Sequence, residues 1–340
     1  MKAVRIAAAG GPEVLELVEI PEPVARQGEA LVRVRAAGLN RADLLQRRGL
    51  YPAPPGAPRD VPGLEFAGEV RKVPGAARDP AAGSGRPRPA SVREGDRVMG
   101  LLGGGGYAEI VSVPAELLLP IPSDLSFAEA AAIPEAFLTA ADALFERGRL
   151  EPGQRVLIHS AGGGVGSAAV QLARAGGAGR VFGTASATKL EGLARLGLKP
   201  DVGIDYRSRN FSEVIEAETG GEGVDVILDT VGAAFWDRNL ASLAPLGRLV
   251  LVGLMGGRRT EADLGELMRQ RLTVVGTVLR SRSRAEKASL TEEFARRFLP
   301  LFETGELRPV VDRAFPLRRA ADAHRYMETN RNLGKLVLEV

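Results

Sequence analysis

The chain has 340 residues, enough for roughly two domains of about 150 residues, and a chain of this size buries about three quarters of its unfolded surface. Hydrophobic residues at 45% and charged residues at 26% are those of a soluble globular protein, and Gly 42 with Pro 22 stays below the low-complexity range of about 25–30%, so wholesale disorder and a fibrous architecture are excluded. The 45 basic and 42 acidic residues are dispersed, for a net charge of +3 without the basic block that marks nucleic-acid binding, while zero cysteines and two histidines (His159 and His324) exclude disulfides, thiolate chemistry, iron–sulfur clusters and a cysteine- or histidine-rich metal site.

The first residues, MKAVRIAAAGG, lack the apolar run of about 7–15 residues of a signal peptide and read as a strand entering a glycine turn. Residues 156–173 form the longest uncharged stretch, but His159, Ser160, four glycines and Gln171 interrupt it, so no membrane span is expected. The expectation is a soluble cytoplasmic protein.

From residue 1 to about 120, short alternating segments (AVRIA, EALVRVRAAG, EFAGEVRKV, DRVMGLL, YAEIVSVP) are separated by Gly/Pro turns, which predicts antiparallel β-structure. Residues 74–91, PGAARDPAAGSGRPRPAS, have no apolar periodicity and read as a surface loop. After LLLPIPSDLS, where Ser123 and Asp124 look like turn or cap residues, Ala-rich helical runs alternate with short apolar strands. Those strands are RVLIHS, RVFGTA, VGIDY, VDVILDT, GRLVLVG and LTVVGTV, mostly joined by helix-length connections, which predicts a parallel doubly wound sheet. The tail predicts a helix over about 285–304, a strand at PVVDRAF, a helix RRAADAHRYMETN and a last strand KLVLEV that folds back on the first domain. The domains expected are 1–122, completed by 300–340, and 123–299; the fold class is α/β, a Rossmann sheet plus a β-rich domain.

The first strand of the second domain runs into Ser160-Ala161-Gly162-Gly163-Gly164-Val165-Gly166 and then a helix, SAAVQLARA. Glycines between a buried strand and a helix permit a tight turn and a close backbone approach to a pyrophosphate held by amides at the helix N-terminus. At the end of the second strand an NAD enzyme places Asp or Glu for the ribose 2′-hydroxyl; here the residues are Gly183-Thr184-Ala185-Ser186-Ala187-Thr188-Lys189. Ser186 and Lys189 can instead donate to a 2′-phosphate, which favours NADPH. Tyr206, ending the third strand, can line the adenine side. His159, on the buried strand, reads as a core histidine, and His324, in an Arg-rich helix, as a surface one.

With these residues on view, the sequence resembles the medium-chain dehydrogenase/reductase superfamily, and within it the zinc-free quinone oxidoreductases related to zeta-crystallin. It looks most like the tumour-suppressor-inducible quinone oxidoreductase subgroup, through Asn40-Arg41-Ala42-Asp43-Leu44, Ala132-Ile133-Pro134-Glu135-Ala136, Gly253-Leu254-Met255-Gly256-Gly257, Leu279-Arg280-Ser281-Arg282 and Gly334-Lys335-Leu336-Val337-Leu338-Glu339. The resemblance implies a GroES-like catalytic domain, a Rossmann domain, a quinone site at the cleft between them and a homodimer joined through the Rossmann sheets. Zinc alcohol dehydrogenases carry Gly-His-Glu where this chain has Gly63-Leu64-Glu65, so the zinc-dependent branch is excluded and no metal is expected.

The resemblance also implies site roles. It places Tyr51, on the proline-rich loop before Pro52-Ala53-Pro54-Pro55-Gly56, against the quinone, and Asn40 on the nicotinamide ribose or carboxamide. Asp43 orders the loop or relays a proton. Thr139 falls on the nicotinamide side, Gly253, Met255 and Leu279 give contacts around the ring, and Lys335 reaches the cofactor from the last strand.

Reducing an ordinary carbonyl to an alkoxide calls for a Lewis acid or strong proton donor. A quinone yields a phenolate-like anion whose conjugate acid has a pKa of roughly 10, by analogy with tyrosine, so hydrogen-bond donors in a shaped slot suffice. The function expected is therefore an NADPH:quinone oxidoreductase, by one- or two-electron steps. The alternatives are reduction of activated alkenes or enoyl thioesters, and a non-catalytic NADPH-binding, RNA-binding protein of the zeta-crystallin kind, against which the dispersed charge argues.

Overall fold

The computed structural model describes residues 1–74 and 92–340; of the proline- and arginine-rich stretch, residues 75–91 lie outside the described residues. The chain divides into two compact units, Met1–Glu135 with Arg280–Val340, and Ala136–Leu279. The sequence texture changes elsewhere, at 122/123 and 299/300, because helices on either side of the second unit pack on the β-structure of the first.

In the first unit, β1 (Lys2–Ile6) and β2 (Leu15–Glu19) form an antiparallel pair. Then come β3 (Glu29–Gly38), α1 (Arg41–Arg47), β4 (Glu65–Lys72), β5 (Arg97–Leu101), β6 (Ile110–Pro114) and β7 (Leu118–Pro120). Strand β3 reads EALVRVRAAG, and its Ala30, Val32, Val34 and Ala36 point into the core as the alternation predicts. It pairs antiparallel with β4 on one side and β6 on the other, and β5 and β7 extend the sheet beyond β4. Helix α2 (Phe127–Ala130) is opened by a capping box: the Ser126 hydroxyl accepts from the Glu129 N–H at 3.2 Å and the Glu129 carboxylate from the Ser126 N–H at 2.9 Å. The segment closes on Pro134 and Glu135, the first residues of α3 (Pro134–Ala141).

The second unit alternates β8 (Arg155–Ile158), α4 (Gly164–Ala175), β9 (Arg180–Ala185), α5 (Ala187–Arg195), β10 (Val202–Asp205), α6 (Phe211–Thr219), β11 (Val224–Asp229), α7 (Trp236–Ser242), β12 (Leu243–Leu251), α8 (Leu264–Gln270) and β13 (Thr273–Gly276). The strands pair in the order β10-β9-β8-β11-β12-β13, all parallel, so the predicted doubly wound sheet is present. Leu157, Phe182, Ile204, Ile227 and Leu249, one from each of five strands, share its buried core. The strand order reverses between β8 and β11, which puts a ligand crevice at the carboxyl ends of those two strands.

The chain then returns through α9 (Arg284–Arg297), α10 (Leu299–Glu303), β14 (Val311–Pro316), α11 (Ala320–Glu328) and β15 (Lys335–Glu339). Strand β15 pairs antiparallel with β3 and parallel with β14, so the tail completes the first unit's sheet as expected. The helix expected over 285–304 is two helices, since Pro300 cannot donate to the preceding turn and its ring crowds it. His324 is fully buried and not on the surface. Ala320, Ala323, His324 and Met327 form the inward stripe of α11, and the flanking arginines that suggested exposure lie on the other face. Among the described residues, no helix is long and apolar enough to cross a membrane.

Candidate active site

The second unit's site begins beneath its loops. His159 follows β8 and is buried, with Nδ1 2.8 Å from Thr184 Oγ1 at the end of β9 and Nε2 2.7 Å from Asn239 Oδ1. Burial lowers its pKa to about 4, so it is the neutral core histidine that the sequence suggests. Asn239 in turn donates to Asp229 Oδ2 at 3.0 Å, and the Asp229 carboxyl accepts from the Val231 and Gly232 N–H groups. One network thus ties down the ends of β8, β9 and β11, from which the cofactor loops leave.

Above it, Ser160 adopts a left-handed φ of 53° and its carbonyl accepts from the Gly163 N–H at 2.7 Å, which turns the chain into α4. A Cβ at Gly166 would lie 2.1 Å from the Ser160 oxygen, so only glycine lets helix and loop close. The N–H groups of Gly164, Val165 and Gly166 open the helix, where backbone donors lack intrahelical partners and the dipole favours an anion. Gly162 packs on Lys189: a Cβ there would stand 2.8 Å from the Lys189 Cβ. Strand β9 ends in Ala185, and Ser186 and Lys189 open α5, so a hydroxyl and an ammonium occupy the strand end where a carboxylate would select a ribose hydroxyl.

Tyr206 follows β10, is 40% exposed and meets Phe235 edge-on with centroids 6.2 Å apart. Gly253 and Met255 follow β12, a Cβ at Gly253 reaching to 3.0 Å from the Thr230 oxygen. The structure thus gathers Gly162 to Gly166, Ser186, Lys189, Tyr206, Gly253 and Met255 at the carboxyl ends of β8, β9, β10 and β12. Thr139 is half-buried in α3, and Leu279 is buried at the end of the unit.

The first unit holds a buried polar cluster at the start of β4. Glu65 is completely enclosed; its Oε1 accepts from Lys335 Nζ at 2.5 Å and Asn40 Nδ2 at 2.9 Å, and its Oε2 from the Glu135 N–H at 2.7 Å, at the open first turn of α3. Lys335 also donates to the Leu39 carbonyl and to Asn40 Oδ1, each at 2.6 Å. With its three donors committed inside this unit, Lys335 orients Asn40 and Glu65. Asn40, partly exposed, has its amide fixed at both ends.

Asp43 is also enclosed. Its carboxyl accepts from the Asn40 N–H at 2.8 Å, the Gly63 N–H at 3.1 Å and the Tyr107 hydroxyl at 3.1 Å, and burial raises its pKa to about 6. Tyr107 lies 3.2 Å from His324 Nε2, and His324 Nδ1 lies 3.3 Å from Arg47, which pairs with Glu328 at 2.5 Å. Of the two roles expected for Asp43, this enclosure supports the ordering of α1 and the Gly63 turn.

Tyr51 is half-buried, and the Arg280 guanidinium sits 5.0 Å from its ring centroid. Arg280 donates to the Tyr51 carbonyl at 3.1 Å, the Gly103 carbonyl at 2.9 Å and Gln46 Oε1 at 2.6 Å, so it pins the proline-rich loop. Burial and the Glu135 carboxyl raise the Tyr51 phenol, against the pull of Arg280. Sequence reasoning assigned no role to Glu65, Glu135 or Arg280, although Glu135 and Arg280 lie in stretches that carry the resemblance and Glu65 in the Gly63-Leu64-Glu65 step that departs from the zinc enzymes. Tyr107, at the end of a four-glycine run, had no chemical signal.

Two family profiles match the chain: an alcohol dehydrogenase GroES-like domain over residues 26–123 and a zinc-binding dehydrogenase over 198–338. The chain is 34% identical over 345 residues to the human synaptic vesicle membrane protein VAT-1 homolog, covering 97% of this chain and 84% of that protein. Among solved structures, Escherichia coli quinone oxidoreductase complexed with NADPH superposes with a TM-score of 0.86 at 30% identity, covering 100% of both chains. CurK enoyl reductase superposes with a TM-score of 0.83 at 29% identity, covering 99% of this chain and 98% of that one. The donors of this chain do not fit a zinc ion. Leu64 brings no ligand, Glu65 is taken by Lys335, and among the described residues no three His, Cys, Asp or Glu side chains are grouped to hold a metal.

Proposed function

We propose that this chain, which belongs to the zinc-free quinone oxidoreductase family of the medium-chain dehydrogenase/reductase superfamily, is an NADPH-dependent quinone reductase that works without a metal ion. The observation that carries the reading is the Leu64–Glu65 step: no ligand at one residue, and a carboxylate saturated by Lys335, Asn40 and the Glu135 N–H at the next. Such a site offers hydrogen-bond donors in place of a Lewis acid, which suits an acceptor whose reduced anion is already stabilised by its ring.

The glycine loop and the first turn of α4 fit the pyrophosphate, and Ser186 with Lys189 fit a 2′-phosphate. Tyr206 flanks the adenine; Thr139, Gly253, Met255 and Leu279 serve the nicotinamide side. Bound NADPH supplies the hydride. Tyr51 offers its ring and hydroxyl to the quinone from a loop that Arg280 holds still, and Asn40, locked by Lys335 and Glu65, presents a fixed amide to the nicotinamide ribose or carboxamide. A second reading, enoyl thioester reduction, is favoured by the likeness to CurK enoyl reductase and by the same phenol. Turnover of benzoquinone against a crotonyl thioester separates the two: faster benzoquinone reduction is expected, and turnover of the thioester alone would replace quinone with alkene.

The homodimer belongs to the same proposal. Strand β13 ends the six-stranded sheet, and Leu246, Leu254, Met255, Leu264, Met268 and Val278, all on the neighbouring segments, are exposed. An unpaired strand edge beside that much apolar side chain suits a second copy of the same edge.

A further inference from the structure

We infer that Glu135 is the proton donor of the reaction, its carboxyl O–H serving the anion that hydride addition leaves on the acceptor; the inference rests on the reading of the chain as a nicotinamide-dependent reductase. The Glu65 carboxylate accepts from the Glu135 N–H at the start of α3, and the two side chains have different surroundings. Glu65 faces an ammonium, an amide N–H and the backbone N–H of Glu135 itself. The Glu135 carboxyl receives no hydrogen bond among the described residues and is partly exposed, so it has neither a donor to keep it ionised nor a partner that takes its proton.

The charged groups around it come from every packed element. Glu65 on β4 and Asp43 on α1 oppose its ionisation, while Lys335 on β15 and Lys287 on α9 favour it; Tyr51 and Arg280 feel its charge in turn. The cations are engaged elsewhere: Lys287 donates to the Arg280 carbonyl at 2.7 Å, Arg280 holds the Tyr51 loop, and Lys335 holds Glu65. Desolvation and the Glu65 carboxylate push Glu135 up to about 8, so it carries a proton at neutral pH. Tyr51 is raised above its ordinary value of 10.0, which makes it a hydrogen-bond donor and a weaker acid than a quinol. Glu135 is the group whose proton passes downhill to a phenolate-like anion.

The balance is that of quinone + NADPH + H⁺ giving quinol + NADP⁺. Hydride brings two electrons and one hydrogen to the quinone; the Glu135 O–H bond breaks as a new O–H bond forms on the anionic quinol oxygen, and the Glu135 carboxylate then takes a proton from water.

The experiment is the pH dependence of kcat with a para-quinone in H₂O and D₂O, beside the NADPH Kd from cofactor fluorescence. In the wild type, kcat falls as the pH rises through about 8, because the protonated form is active, and a solvent isotope effect is present. Glu135→Gln loses that limb and the isotope effect, drops kcat about 100-fold at neutral pH, and keeps its NADPH Kd; Glu135→Asp restores part of the rate and a limb. A wild-type pH limb and isotope effect in Glu135→Gln, or a wild type with no limb between neutral pH and pH 9, overturns the inference and leaves the reductase reading standing. A wild type that binds NADPH and turns over neither quinone nor enoyl thioester removes both.

Discussion

Lys335 Nζ and Glu65 Oε1 lie 2.5 Å apart with side-chain exposures of 6% and 0%, an ion pair sealed inside the first unit across 270 positions of sequence. Removing one partner of such a pair leaves a buried charge uncompensated, which typically costs about 3–5 kcal/mol. Lys335→Met therefore lowers the unfolding free energy in urea by about that much, and Lys335→Met with Glu65→Gln recovers part of it. A double-variant loss equal to the sum of the Lys335→Met and Glu65→Gln losses would mean that the pair is not coupled.

Lys189→Ala weakens NADPH and leaves NADH nearly unchanged. A charge-assisted hydrogen bond contributes about 1.5–3 kcal/mol, or roughly 10- to 150-fold in Kd. Titration calorimetry with both cofactors checks it, and an unaltered NADPH/NADH ratio would remove Lys189 from the phosphate site.

Gly166→Ala forces a methyl to within 2.1 Å of the Ser160 oxygen, whereas a Cβ at Gly276 meets nothing within 4 Å. The first substitution destabilises by about 1–3 kcal/mol and abolishes dinucleotide binding as the loop is displaced. The second leaves the melting temperature where it was. Calorimetric melts with and without NADPH test the contrast.

Stability should carry the signature of His324. Burial and Arg47 lower its pKa from 6.5 to about 3, so the unfolded chain takes up a proton below about 6.5 that the folded chain refuses. The stability it supports is complete above pH 6.5 and is lost as the pH falls toward 3. His324→Asn loses the Tyr107 and Arg47 contacts at neutral pH, but the gap from wild type narrows on acidification, by about 1.4 kcal/mol per pH unit at most. A gap that stays constant between pH 7 and pH 5 would mean that His324 is not the neutral buried group found here.

Met268→Asp with Leu264→Asp, at positions 78% and 65% exposed, turns the proposed dimer into a monomer. Light scattering on the eluting protein reads the mass directly; a wild type that is already monomeric excludes the strand-edge dimer.

Much of the fold was legible because its signals are local. The alternation of β3, the six short strands of the second unit, and glycines set between β8 and α4 each lie within a dozen residues. The cluster around Glu65 has no such signal: Asn40, Glu65, Glu135 and Lys335 meet only because β15 joins β3 and α3 opens beside β4. His324 was misread because its helix was judged by its arginines and not by the Ala320, Ala323, His324, Met327 stripe. The break at Pro300 was visible in the sequence, where a proline inside a helical run ends it.

The central claim is tested most directly by steady-state oxidation of NADPH and of NADH, each with an ortho-quinone and a para-quinone, with a metal chelator present throughout. The account predicts turnover that withstands the chelator and favours NADPH. Turnover abolished by the chelator, or tight NADPH binding that no quinone converts into oxidation, would contradict it.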